Sequence, residues 1–380
     1  MNVLVLSANY GAGHVRAAEA VIAALRYQEQ TVKVTHLDFS AVLGKPLNTV
    51  VKNTYIEMIK HTPKLWGEFY YRTAQIEPDS LFQRFLNGLG RREFVKLIYS
   101  YHPDVIISTY PTIAGVIAQL RSKRILQVPL VTVVTDYAVH SQWIHPGVDL
   151  YIVGCQDVYD GLVARGINPN RVKVTGIPVH PRFDQPLDRA TMIKEMGLRP
   201  DWPIFLVMGG AYGVLGGAKK ICHILANTAT PVQALVVCGK DKKMYKSLDG
   251  LVAGTRNPIK RFGFVTNIEE LMTVADVIVT KAGGLTVSEA LTKGLPLVIH
   301  KPIPGQEQEN ANFIRKIGAG TVSCTIEELQ NNFANMLENP EWLAKMRLAA
   351  QNATPGHSAQ RAVDNIFILL DRVTKTEKTG

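Results

Sequence analysis

The first feature of this chain that could do chemistry is a histidine at a glycine-rich helix entry. In SANYGAGHVRAAEAV an apolar, strand-length run passes through Gly11 and Gly13 into an amphipathic segment, with His14 at the junction. The glycines permit tight backbone geometry, and the N–H groups at a helix start can hold an anion or a developing negative charge. An imidazole at the positive end of a helix dipole is biased toward its neutral form, the form that accepts a proton. His14 is therefore a candidate general base; the competing reading is a hydrogen bond to a neighbouring loop. The same glycines also suggest the dinucleotide fingerprint GxGxxG, with Asp38 gripping a ribose. Arg16 stands at the third glycine position, so that match is incomplete, and Asp38 reads as a solvated strand-end residue.

The second half is richer in such groups. MGGAYGVLGG follows the run PIFLV, and its Gly209, Gly210 and Gly213, with Ala211, let backbone amides approach phosphates, unless they simply make a tight turn. TKAGGLTVSEAL offers a second diphosphate geometry at Gly283, Gly284 and Thr286. Glu289 follows within the first turns, where a carboxylate can accept two ribose hydroxyls or can merely favour the helix dipole. KPIPGQEQENANF crowds Gln306, Glu307, Gln308, Glu309 and Asn310 just past a Pro-Gly turn, a density that suits the hydroxyls of a hexose. VVTDYAVHSQW places Asp136, His140 and Trp143 after another strand-length run, either as groups lining a cleft or as an ordered loop packed by Trp143.

These loops need rigid elements beneath them. Strand-length apolar runs alternate with helix-length amphipathic segments throughout, the pattern of parallel sheets joined by crossover helices. The strands read as MNVLVLSA, TVKVTHLD, DVIIST, LVTVVTD and LYIVG, then PIFLVMGG, QALVVCG, IKRFGF, VIVTK and LPLVIHK. A stretch rich in proline and charge separates the two sets. The organisation expected is an N-terminal Rossmann-like domain over residues 1–175, a linker over 176–200, a C-terminal Rossmann-like domain over 201–358, and a helix and tail over 359–380. The fold class is α/β, two doubly wound domains facing each other across a cleft.

Composition narrows the class of function. The chain has 380 residues, 46% of them hydrophobic and 19% charged, enough for two cores and unlike a disordered chain. No apolar run reaches the ~18 residues that span a bilayer, and MNVLVLSANYGAGH does not read as a signal peptide. The four cysteines are widely separated and suit a reducing cytoplasm. A formal net charge of +10 favours an anionic partner, whether nucleotide, nucleic acid or membrane surface. No basic arm, zinc-finger spacing or aromatic RNA-binding signature points to nucleic acid. Between about Leu47 and Tyr101, aromatic residues (Trp66, Phe69, Tyr70, Tyr71, Phe82, Phe85) interleave with basic ones (Lys52, Lys60, Lys64, Arg72, Arg84, Arg91, Arg92). That interleaving suits a peripheral site on anionic lipid, or a packed core.

Taken together, ANYGAGH, TDYAVHSQWIHPGVD, TGIPVHPRF, MGGAYGVL, TKAGGLTVSEAL and KPIPGQEQENANF, in that order over nearly the whole chain, resemble the diacylglycerol glycosyltransferase family. That family includes processive diacylglycerol beta-glucosyltransferases and monogalactosyldiacylglycerol synthases. The resemblance implies a GT-B fold and inverting, metal-independent transfer of glucose or galactose from a UDP-sugar to diacylglycerol, with no cofactor. It implies His14 as base, with Asp136 supporting it or orienting the acceptor. Gly11, Gly13, His140 and Trp143 would line the acceptor side. The backbone at Phe264 and Val265 would meet uracil, Gly209 to Gly213 and Gly283 to Gly284 the diphosphate, Glu289 the ribose, and Gln306 and Glu307 the hexose. Trp66, Phe69, Tyr70 and Arg72 would meet the cytoplasmic face of the membrane. The alternatives are transfer of N-acetylglucosamine to a lipid-linked acceptor, a UDP-sugar epimerase of the same fold, and a noncatalytic nucleotide-sugar binder.

Overall fold

The computed structural model describes residues 1–9, 11–38, 58, 61–77, 80, 83, 88, 91–209, 217–252 and 255–379. Lys52, Lys60, Phe82, Arg84, Phe85, Gly210, Ala211 and Gly213 lie outside the described residues. The chain forms two compact units. The first comprises Met1–Pro181, Ile303–Gln306 and Pro355–Gly380, and the second Arg182–Pro302 and Glu307–Thr354.

In the first unit the elements run β1 (Asn2–Ser7), α1 (Ala12–Gln28), β2 (Lys33–Asp38), α2 (Pro63–Thr73), α3 (Arg91–Tyr101), β3 (Val105–Ser108), α4 (Pro111–Ser122), β4 (Leu130–Val133), β5 (Leu150–Val153), α5 (Gln156–Val163) and β6 (Val172–Val174). The strands pair in parallel in the order β2-β1-β3-β4-β5-β6. β3, β4 and β5 are buried along their whole length, as is β1 beyond Asn2, because helices cover both faces of such a sheet. That is why they read as unbroken apolar runs. The C-terminal helix of the chain belongs to this unit: its Ala359, Ala362, Val363 and Ile366 pack with Ala18, Val21 and Leu25 of α1 over Val3, Val5, Val105 and Val131.

The second unit runs α6 (Arg189–Glu195), β7 (Ile204–Met208), α7 (Ala218–Asn227), β8 (Gln233–Val237), α8 (Lys242–Ser247), α9 (Asp249–Val252), β9 (Ile259–Phe262), α10 (Ile268–Val274), β10 (Val277–Thr280), α11 (Gly284–Thr292), β11 (Leu297–His300), α12 (Gln306–Lys316), β12 (Gly320–Ser323), α13 (Ile326–Glu338) and α14 (Pro340–Asn352). The C-terminal helix, already described, is α15 (Ser358–Thr379). The first residue of α12, Gln306, falls in the first unit. The sheet order is β12-β11-β10-β7-β8-β9, all parallel. Phe205 of β7 meets Phe333 of α13 edge-on at 5.2 Å in the core. Part of the stretch read as linker folds here, because Asp276 draws it in. Its Oδ1 accepts from Arg189 of α6 at 3.0 Å and from Arg347 of α14 at 3.1 Å, and its Oδ2 from the amide of Ile204 at 3.0 Å.

Two strands, β6 and β12, are absent from the sequence reading. Each is the last strand of its sheet and sits at an edge, and each is short and only partly buried, so neither carries an apolar run. β12 nevertheless tolerates little change. Gly320 lies so close to the carbonyl of Leu297 on β11 that a Cβ there would collide with backbone. Gly320→Ala is expected to destabilise the protein by about 1–3 kcal/mol, the usual range for forced overpacking. Thermal unfolding of the variant against wild type measures it, and an unchanged midpoint would refute the clash.

Candidate active site

In an open parallel sheet, ligands bind beyond the carboxyl ends of the strands, where the strand order reverses. In the first unit the reversal lies between β1 and β3, since the chain goes from β1 outward to β2 and then returns to the other side of β1. His14 stands in the first turn of α1, directly after β1. Its Nδ1 is 2.7 Å from the carbonyl of Thr109, which follows β3, and 3.0 Å from Oγ1 of Thr135, which follows β4. The hydroxyl of Thr109 donates to the carbonyl of His14 at 2.9 Å, closing the pair. A carbonyl can only accept, so Nδ1 carries the ring proton and the basic lone pair is on Nε2. The ring meets Tyr110 edge-on at 5.2 Å and Trp143 at 6.4 Å.

The His14 side chain is half-buried but densely surrounded. Desolvation pushes its pKa down to about 4, against the raising effect of the Thr109 carbonyl. The imidazole is therefore neutral across the physiological range. Gly11 caps α1 in extended backbone (φ −169°), which any residue adopts, and a Cβ there would meet nothing within 4 Å. The glycine keeps open space in front of the helix rather than making a tight turn, which corrects the expectation for it. Gly13 lies within the first turn of α1.

Thr109, Tyr110 and Thr135 are the residues around His14 that sequence reading missed. Each threonine ends a strand run, DVIIST or LVTVVT, but only the sheet order puts those ends beside β1. Asp136, adjacent to Thr135, is buried, as is Trp143. His140, expected to line the acceptor side, has both nitrogens engaged within the fold. Nε2 is 3.1 Å from the carbonyl of Tyr70 and Nδ1 accepts from the amide of Gln142 at 3.2 Å. Ser141 donates to the carbonyl of Thr73 at 2.7 Å, so the loop after β4 fastens onto α2.

That fastening decides which face of α2 turns outward. Gly67, Tyr70 and Thr73 are buried, with Tyr70 4.6 Å from the ring of His140. Tyr70, expected at a lipid face, is thus turned inward by helical periodicity. Leu65, Phe69 and Tyr71 are exposed, at 57%, 43% and 43%, beside exposed Lys64 and Arg72, and Trp66 is partly covered and touches Phe69. Arg72 pairs with Glu68 at 2.6 Å on the surface, a contact too weak to hold it from another anion.

In the second unit the reversal lies between β7 and β10. Gly209 ends the β7 segment, and Gly283 caps α11 after β10, with open space where a Cβ would stand. Gly284 and Thr286 lie in the first turn of α11, and Glu289, 4% exposed, on its second. Asn310 of α12 is fully buried and donates from Nδ2 to the carbonyl of Ala282 at 2.9 Å, fixing the loop that carries the glycine pair. Gln306 and Glu307 open α12 and are half-buried. Phe264, past the end of β9, is 50% exposed with Lys240 Nζ 5.5 Å above its ring, and Val265 beside it is half-buried.

Three histidines of the first unit share one titration behaviour: burial pushes His14, His140 and His145 each down to about 4. The unfolded chain binds these protons near pH 6.5. Their contribution to stability is complete above that pH and is lost as pH falls through about 4, so stability should drop between about pH 7 and 5 by roughly 2 kcal/mol per histidine. Thermal unfolding across that range measures the slope. His145→Asn should flatten it by about one histidine's share, and an unaltered slope would contradict a neutral, buried His145.

Comparison with known proteins supports one reading of this geometry. Residues 14–179 match the family described as monogalactosyldiacylglycerol (MGDG) synthase, and residues 205–363 the glycosyltransferase family 28 C-terminal domain. The processive diacylglycerol beta-glucosyltransferase of Bacillus pumilus (strain SAFR-032) is 33% identical over 376 residues, 99% of this chain and 97% of that protein. The enzyme of the same name from Bacillus subtilis (strain 168) is 31% identical over 379 residues, with the same coverage of each. Among solved structures, MurG of Acinetobacter baumannii superposes with a TM-score of 0.66 at 18% identity, covering 96% of this chain and 98% of that one. A UDP-GlcNAc 2-epimerase of Neisseria meningitidis superposes at 0.58 and 13% identity, covering 97% of this chain and 100% of that one. The fold of two Rossmann-like units is thus shared by transferases and epimerases alike, and it is sequence that separates them. By its likeness over nearly the full length of both proteins, the chain belongs to the family of the processive diacylglycerol beta-glucosyltransferases and is a GT-B glycosyltransferase.

Proposed function

We propose that the chain transfers glucose or galactose from a UDP-sugar to the hydroxyl of 1,2-diacylglycerol with inversion, giving a beta-glycosyl diacylglycerol. The observation that carries this reading is the tautomer of His14. Its proton is committed to the Thr109 carbonyl, and a basic Nε2 is left at the strand-order reversal of a chain belonging to this family. Nε2 takes the proton of the acceptor hydroxyl while that oxygen attacks the anomeric carbon from the face opposite UDP. The bond from the anomeric carbon to the phosphate oxygen breaks, and its electron pair leaves with UDP. The amides at Gly283, Gly284 and Gly209 and the dipole of α11 stabilise the departing charge, a task that needs no divalent ion. Glu289 accepts the ribose hydroxyls, the backbone at Phe264 and Val265 meets the uracil, and Gln306 and Glu307 read the hexose. Asp136 supports the loop that carries Thr135.

Diacylglycerol lies in a membrane, and among the described residues no helix is long and apolar enough to cross one. The exposed Leu65 and Phe69 of α2, flanked by Lys64 and Arg72, supply an interfacial contact instead. The enzyme thus works as a peripheral protein on anionic lipid at the inner face of the cell membrane.

Transfer from labelled UDP-glucose and UDP-galactose, with and without diacylglycerol vesicles, tests the reaction; label that never enters the lipid sinks it. His14→Ala is expected to lower turnover by a factor on the order of 10² to 10⁴ with UDP affinity kept. Because the His14 pKa lies at about 4, the acidic limb of wild-type kcat/KM should fall near that value and not near the ordinary 6.5. A variant transferring at wild-type rate would remove His14 from the chemistry. Leu65→Ser combined with Phe69→Ser should reduce co-sedimentation with anionic vesicles while UDP binding persists. Wild-type protein that stays in the supernatant at low salt would refute the interfacial role.

A further inference from the structure

On the far side of β10 from β7, strand β11 ends in His300, which is 1% exposed. Nδ1 lies 2.9 Å from Oγ of Ser323 on β12, and that hydroxyl donates to the carbonyl of Ile299 at 3.3 Å. The hydroxyl hydrogen being used there, Nδ1 carries the imidazole proton and donates to Ser323. Nε2 is buried and has no hydrogen-bond partner among the described residues. It lies 4.0 Å from the position a Cβ on Gly217 would occupy, and Gly217, in left-handed backbone (φ +80°), is the residue that opens α7.

The first turn of α7 departs from what a helix start ordinarily prefers. It has no side-chain cap and no acidic residue, and it carries Lys219 and Lys220, both exposed. The N–H groups of a helix start, the positive end of the dipole and two ammonium groups all favour an anion in front of it. The helix has ten residues, so the dipole is fully developed in its first turn. A buried imidazole whose uncommitted nitrogen faces the same turn is a second, independent pointer to a ligand.

We propose that the first turn of α7 and His300 together receive the diphosphate of the UDP-sugar, and that His300 takes up a proton from solvent at Nε2 as the diphosphate binds. This rests on the reading of the second unit as the donor-binding unit. With Nδ1–H committed to Ser323, Nε2 can meet an anion favourably only by gaining a proton, which makes an imidazolium and breaks no bond. Burial and Lys301 oppose that charge in the free protein, while Glu328 of α13 favours it. Lys219 and Lys220 of α7 carry the same sign, while the Glu327 carboxyl is held below its ordinary range by hydrogen bonds to backbone and Thr325 and, less, by Lys220 and Lys301. Two diphosphate charges in front of α7 reverse the balance.

Titration calorimetry of the full-length protein with UDP-glucose, without lipid, in buffers of different ionisation enthalpy tests the proposal between about pH 6 and 8. UDP-glucose keeps the same charge across this range, so any proton uptake belongs to the protein. Wild type is expected to take up a fraction approaching one proton at the acidic end and none at the alkaline end, with affinity rising by up to about tenfold per pH unit as pH falls. His300→Asn should still bind UDP-glucose, more weakly, and lose both the uptake and the pH dependence. Binding by wild type without proton uptake overturns the role of His300 and leaves the donor-site reading standing, as does uptake that persists in His300→Asn. Failure of wild type to bind UDP-glucose at any pH overturns the donor-site reading and this inference with it. Should His300→Asn not fold, the wild-type proton count alone decides.

Discussion

The hydrogen bond from His14 Nδ1 to the carbonyl of Thr109 joins two strands' worth of structure to one proton. It requires β1 and β3 to be neighbours in register, because the carbonyl lies just past the end of β3 and the imidazole just past the end of β1. It also fixes the tautomer, which no amount of burial alone would do. With Nδ1 protonated and the ring desolvated, Nε2 is basic and uncharged at once, the state a general base needs at neutral pH. A shift of β1 against β3 by one residue would turn every side chain of β1 to the other face of the sheet and move Thr109 away from the ring. The apolar burial along β1 and β3 therefore serves the site directly, by making that slip costly.

Much of this arrangement was legible in the residues. The fully buried strands announced themselves as apolar runs, and the glycines beside His14 and before Glu289 marked the entries to α1 and α11. What was not legible is the order of strands within each sheet. Thr109 and Thr135 are 95 and 121 residues from His14 and become its partners only because β3 pairs with β1 and β4 with β3. The edge strands β6 and β12 escaped notice for a different reason: at an edge, half-burial suffices and three or four mixed residues can pair without an apolar signature. Tyr70 was misplaced because an aromatic and basic segment does not say which aromatics face inward. The hydrogen bonds of His140 and Ser141 to α2 decide that.

The two strand-order reversals use opposite electrostatics. In the first unit the imidazole is kept neutral by burial, against the raising effect of the Thr109 carbonyl, with aromatic rings around it. In the second, helix starts without acidic caps stand at the ends of β7 and β10, and the glycine pair is held by a buried asparagine rather than by a charge. A neutral base suits an uncharged hydroxyl, and amide-rich turns suit a diphosphate. The two sheet ends thus present different partial charges, and the roles proposed for them follow that difference.

A lipid acceptor adds a mechanical requirement, that whatever touches the membrane must be tied to the base. The loop after β4 meets it within the first unit. Thr135 reaches His14, His140 and Ser141 grip the backbone of α2, and Trp143 just beyond them turns back to the His14 ring. Both nitrogens of His140 are committed, and its ring packs on Tyr70, so α2 cannot roll without breaking buried hydrogen bonds. The outward face with Leu65 and Phe69 is thereby held in a fixed relation to Nε2. A helix that merely floated on the lipid would bring the enzyme to its substrate but leave the hydroxyl to find the base by diffusion. One braced through His140 would present the proposed interface and the proposed base as parts of a single rigid body.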